Sequence, residues 1–121
     1  MMSNKDKTYL SVARFMATKS DAKNMHGAIV VKGRRVLGIG YNKNRNNPVT
    51  VSPEHVKTCC SYHAEAVAIR DASKSDLNGA IIYTARVNRD GIDRNGKPCI
   101  RCAALIESVG IKRVVFTTNG E

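Results

Sequence analysis

The sequence contains no tryptophan, and only two Phe and four Tyr among its 121 residues. Proteins that thread single-stranded nucleic acid commonly stack successive bases on aromatic side chains, so this poverty argues against a long strand-binding groove. No apolar run approaches the roughly 18 residues that a bilayer-spanning helix requires, and no membrane association is expected. Segment 1–7 is polar and lacks the apolar centre of a signal peptide. A cytoplasmic setting with reduced thiols is the expectation. The four cysteines then read as metal ligands or free thiols rather than disulfides. Internal repeats, low-complexity tracts and linkers are missing too, so residues 1–121 are expected to form one domain.

Acidic residues are scarce: ten against twenty Lys and Arg, for a net charge of +10. The deficit lies in the first fifty residues, where only Asp6 and Asp21 oppose ten bases. Residues 51–121 are nearly balanced, with ten bases and eight acids. Such a surface attracts phosphates, on a free nucleotide or on a strand. It also serves plain solubility, so charge alone selects no function.

Hydrophobic patterning predicts an α/β order. A helix is expected over about 5–19, with Leu10, Ala13, Met16 and Ala17 at helical spacing. Strands over 27–31 and 36–41 flank a turn at Lys32-Gly33-Arg34 and read as a hairpin. Gly38 and Gly40 share one face of the second strand and leave room for a close neighbour. A long polar loop over 42–60, an alanine-rich helix over 62–74 and a buried strand over 80–84 follow. Then come a second polar loop over 86–97, a helix over 99–109 stopped by Gly110, and a strand over 111–117. Strand–helix–strand alternation predicts parallel pairing with right-handed crossovers, and a three-layer α-β-α sandwich around a mixed sheet of four to five strands.

Two segments carry chemistry. His63-Ala64-Glu65 and Pro98-Cys99-Ile100-Arg101-Cys102 both fall at expected helix starts. There the free N–H groups and the positive helix end favour thiolates, and Pro98 suits such an entry. Two thiolates and an imidazole suit zinc. Three protein ligands leave a fourth position open, as catalytic zinc requires. Such zinc lowers the pKa of its water from 15.7 to about 7 in favourable sites; two thiolates would weaken that effect. Glu65 is then expected as general base, taking a proton from that water and passing it on.

His-x-Glu with Pro-Cys-x-x-Cys is the signature of zinc deaminases. With Gly27-Ala28-Ile29-Val30-Val31, Gly40-Tyr41-Asn42 and Lys97-Pro98-Cys99 in order, the chain resembles the cytidine and deoxycytidylate deaminase superfamily over roughly residues 8–118. The resemblance implies one catalytic zinc, a five-stranded mixed sheet, and a homo-oligomer. It implies that Asn42 bonds the sugar or base, that the Ala64 N–H meets the base carbonyl, and that attack falls on C4 of a cytosine ring. Histidine at position 63 sets the chain apart from the nucleoside-specific branch, which resembles it but carries cysteine there. Only twenty residues, 43 to 62, separate the Gly-Tyr-Asn segment from His63. The insertion that brings a second zinc to typical deoxycytidylate deaminases is therefore shortened. The fifth strand and final helix are expected to be reduced or absent, and with them control by a nucleoside triphosphate.

Bland roles compete at the remaining residues. Cys59 and Cys60 are expected as buried free thiols; a second zinc with His55, or a fourth ligand closing a structural site, is the alternative. His26 is expected to be structural, Tyr41 and Tyr62 to pack, and Arg101 to face solvent. Arg86, Arg89, Arg94 and Lys97 offer a phosphate-binding loop or a solvated one, with Arg86 the candidate substrate contact. Deamination of a free cytosine nucleotide or nucleoside, deoxycytidylate foremost, is the first functional expectation. A deaminase of a base in single-stranded DNA or RNA, cytosine or tRNA adenine, is the second. A non-catalytic zinc module that binds nucleotide or protein is the third.

Overall fold

A computed structural model describes residues 3–20, 25–42 and 63–118. The expectations for residues 43–62, including His55, Cys59, Cys60 and Tyr62, lie outside the described residues.

Helix α1 spans Asn4–Ala17; the Ser3 hydroxyl accepts the Asp6 N–H at 3.0 Å and satisfies one open donor of its first turn. Its apolar stripe of Leu10, Ala13, Met16 and Ala17 is buried, as the spacing predicts. Strands β1 (Met25–Lys32) and β2 (Arg35–Tyr41) form the expected antiparallel hairpin. Gly33 turns it at φ +65°, a region that favours glycine. Helix α2 is Ala64–Asp71, strand β3 Ile81–Val87, strand β4 Asp93–Arg94, helix α3 Ile100–Ser108 and strand β5 Arg113–Phe116.

The pairing differs in part from the expected one. Among the described residues only β3 and β5 pair in parallel; β1 pairs antiparallel with both β2 and β3. The β2–α2–β3 crossover does join strands of one direction, but β1 lies between them. The segment 86–97, expected as a loop, is partly strand. The chain runs on to Val87, turns, and returns as β4. Asn88 makes the turn by accepting the Asp90 and Ile92 N–H groups on its side-chain oxygen, with Gly91 at φ +79°. One edge of β3 thus carries β5 along Ile81–Thr84 and β4 along Arg86–Val87.

Side-chain alternation divides the sheet into two faces. Ile29, Val31, Tyr83, Ala85 and Val115 pack with Leu10, Ala13 and Met16 of α1. Ala28, Val30 and Ile82 pack with Ala64, Ala68 and Ile69 of α2 and Ile106 of α3. Helices therefore cover both faces, as expected. Two polar ties fix α1. Tyr83 donates to Asp6 at 2.8 Å while Arg113 pairs with the other Asp6 oxygen. Arg14 grips Asp93 with two bonds of 2.9 Å. No helix among the described residues is long and apolar enough to cross a membrane.

Candidate active site

His63 and Cys99 are the N-cap residues of α2 and α3, both in extended backbone (ψ 136° and 169°). Neither side chain caps its helix, in contrast to Ser3. Their carbonyls serve the first turns, accepting Val67 N–H at 3.0 Å and Ala103 N–H at 2.8 Å. The imidazole and thiol are left to face each other. His63 Nδ1 lies 3.2 Å from Cys102 Sγ and 3.5 Å from Cys99 Sγ. All three candidate ligand atoms lie within 4.8 Å of one another. A tetrahedral zinc with the usual bond lengths sets its N and S ligands about 3.5 Å apart, so the group can hold one such ion.

Glu65, one residue into α2, is buried. Burial pushes its carboxyl above the ordinary range, against the pull of its own backbone N–H and the Cys102 thiol beside it. A buried carboxyl against the prospective metal is placed to accept and return a proton. Ala64 is buried at the open start of α2, where N–H groups have no partner within the helix.

α2 lies so close to β2 that side chains on the strand would not fit. A Cβ on Gly40 would meet Ala68 N at 2.6 Å and Ala64 O at 2.7 Å, and one on Gly38 would meet Ala68 O at 2.3 Å. The next residue on that face is Asn42, buried, whose side-chain oxygen accepts the His26 N–H at 2.8 Å. The Asn42 N–H returns to His26 O at 3.1 Å.

The α3 entry is clamped from the sheet. Thr84 donates to Gly96 O at 2.7 Å, and Thr117 donates to Arg94 O at 2.7 Å while accepting the Arg86 N–H at 3.0 Å. Gly96 N–H bonds Thr117 O at 2.8 Å. A Cβ on Gly96 would come within 2.8 Å of Thr117 Oγ1. This clamp delivers Pro98 and Cys99 to the site.

The structure thus brings His63, Glu65, Cys99 and Cys102 together, with Asn42 and Arg86 on the same face of the sheet. Of the other residues weighed, Arg101, Arg89 and Lys97 are exposed, and Tyr41 packs on the α1 side. His26, expected to be structural, stands on the site's face. Burial, then the neighbouring charges of Arg86 and His63, push its imidazole down to about 4. It is neutral at ordinary pH. Its position could have been found by counting back two residues from Ala28, since His26, Ala28 and Val30 share a face.

An N–S–S donor set on two helix starts, with Cys102 buried, His63 half-buried and Cys99 open to solvent, and with an adjacent buried carboxyl, defines the zinc deaminase class. The chain belongs to the cytidine and deoxycytidylate deaminase family: the family's zinc-binding region matches residues 3–118. The class of reaction is hydrolytic deamination. A deoxycytidylate deaminase of Mycobacterium phage D29 is 33% identical over 92% of both chains. The deoxycytidylate deaminase of Homo sapiens is 31% identical over 92% of this chain, which spans 63% of the human length. A dCMP deaminase from cyanophage S-TIM5 shares the fold at a TM-score of 0.70 and 24% identity, over 96% of this chain and 84% of that one.

Proposed function

We propose that the protein deaminates deoxycytidylate to deoxyuridylate and releases ammonia, with a zinc ion held by His63, Cys99 and Cys102. The convergence of these three ligand atoms within 4.8 Å, beside buried Glu65, carries the reading. The phage D29 and human relatives, both deoxycytidylate deaminases, and the S-TIM5 enzyme solved with dCMP and dUMP support the choice of substrate. A bound zinc supplies Lewis acidity that makes water nucleophilic near neutral pH.

The chain's own residues do the rest. Glu65 takes the proton of the attacking water and delivers it to the ring nitrogen, then to the departing amine. Its burial keeps the proton from bulk solvent between these steps. The Ala64 N–H, at the positive end of α2, binds the base carbonyl. Asn42, fixed by its two bonds with His26, orients the sugar, and Arg86 contacts the substrate from β3. Assembly of several chains, as the family resemblance implies, completes the reading.

Ammonia release is measured with zinc-loaded protein on dCMP, deoxycytidine, cytidine, adenosine and a short single strand. The expected outcome is preferred turnover of dCMP. Glu65→Gln is expected to keep its zinc and lose a factor of about 10²–10⁴ in kcat. Undiminished turnover in that variant would overturn the mechanism; activity on none of the compounds would overturn the function.

A further inference from the structure

Three residues stand in one row across three neighbouring strands, and Asn42, just past the end of β2, continues it. Arg86 faces His26 directly across β3 and β1, and Arg94 faces Arg86 directly across β4 and β3. Asn42 is bonded to the His26 backbone on the far side. Residues directly opposite in a sheet share a face. Here it is the face of Ala28, Ile82, α2 and α3, and therefore of His63 and Glu65.

Two arginines placed directly opposite repel one another. The repulsion is not relieved from the α1 side, because Asp93 is spent on Arg14. Arg94 makes no ion pair with a described residue. Next to the arginines His26 is neutral. His26, beside Arg86, is also near enough to His63 at the start of α2 for their charges to interact. Such an arrangement is stabilised by a doubly charged anion, and paired guanidinium groups match phosphate oxygens in geometry.

We infer that Arg86 and Arg94 together bind the terminal phosphate monoester of the substrate, and so select a free mononucleotide over a nucleoside or a strand. The inference rests on the nucleotide reading above and names the residues that read its charge. A monoester carries about −1.5 to −2 near neutrality, against one charge per phosphate in a strand. Strands lie about 4.8 Å apart, so Asn42 and Arg86, two strands apart, are separated by about 10 Å along the row. A sugar over His26 reaches Asn42 on one side and presents its phosphate to the arginines on the other. The Arg14–Asp93 pair is the positioning device: with Asp93 held to α1, alternation turns Arg94 to the opposite face.

The test compares wild type, Arg94→Gln, Arg86→Gln and Asp93→Asn, all zinc-loaded. Binding of dUMP and deoxyuridine by titration calorimetry needs no turnover. The kcat/KM ratio of dCMP to deoxycytidine, and of dCMP to an internal cytosine in a short strand, is measured alongside. Each arginine variant is expected to lower the dUMP-to-deoxyuridine affinity ratio and the dCMP-to-deoxycytidine ratio at least tenfold, chiefly through KM. Asp93→Asn should lower both in the same direction by less. Unchanged ratios in both arginine variants would overturn the site, and an unchanged ratio in Asp93→Asn the positioning role. Equal losses on dCMP and on the strand would overturn selection of the monoester. A wild type that binds dUMP tightly yet deaminates nothing defeats the proposed reaction while leaving the phosphate site tested by the binding ratios.

Discussion

At His63 and Cys99 the usual work of a helix-starting residue is divided. The backbone carbonyl begins the helix, while the side chain is withheld from capping and turned to its neighbours. Each helix forgoes a cap that contributes typically about 1 kcal/mol, so a filled site has to secure both helix starts. Cys102→Ser is expected to leave far less than one zinc per chain after dialysis against a chelator, read by metal analysis. Retention of a full equivalent would show that this sulfur is no ligand. The chemistry of His63, Glu65, Cys99 and Cys102 is legible in the sequence because it is local: two short motifs fix both spacing and helix position. The places of His26 and Arg94 are not legible there. Their facing depends on which strands pair and in what register, and neither residue carries a motif.

At the scale of elements, the contact of β2 with α2 depends on missing side chains. Gly40→Ala would set a methyl group 2.6 Å from the Ala68 nitrogen. Backbone on both sides leaves only displacement of α2, which starts immediately after His63. The expected cost is about 1–3 kcal/mol, read as a lower denaturation midpoint together with faster zinc loss to a chelator. The glycine pair and the space it implies are visible in the sequence, although the helix that fills the space is not. Thr117 plays the comparable part for α3. Thr117→Val removes the acceptor of the Arg86 N–H and the donor to Arg94 O. A loss of about 1–3 kcal/mol is expected, and unchanged stability would contradict the clamp. The 86–97 stretch reads as loop in the sequence because its charges and turn residues conceal an alternation only two residues long on the returning side.

For the molecule as a whole, the sheet's α1 side carries stability through Asp6, Tyr83 and Arg113. Burial pushes the Asp6 carboxyl up, but the Tyr83 hydroxyl, Arg113 and the Ser3 backbone N–H outweigh it and hold it below its ordinary 3.8. A depressed carboxyl stabilises the fold above its unfolded value, and that contribution fades as pH falls through the folded one. Burial, then the Asp6 carboxylate, raises Tyr83 from 10.0 to about 12. Its contribution is whole below pH 10 and fades between pH 10 and 12. Thermal melts are expected to give a plateau that falls at both ends. Tyr83→Phe should lower the plateau by about 1–3 kcal/mol and remove this group's share of the alkaline fall. A variant that melts like wild type at every pH would refute the tie. The layer order and most element bounds are readable from periodicity, whereas strand order is not, since helical alternation does not reveal that β1 lies between β2 and β3.

The division of the sheet by parity also bears on how the protein can change. Odd positions of β3 face α1, and even positions of the same strand face α2 and the entry to α3, so neighbouring residues in the chain answer to separate pressures. Arg86 and Arg94 lie on the face opposite the Asp6–Tyr83 tie, so substitutions there leave that tie untouched. A one-residue insertion within β3, by contrast, would exchange the two roles at once. Replacement along this strand therefore disturbs one face at a time, whereas a change of its length disturbs both.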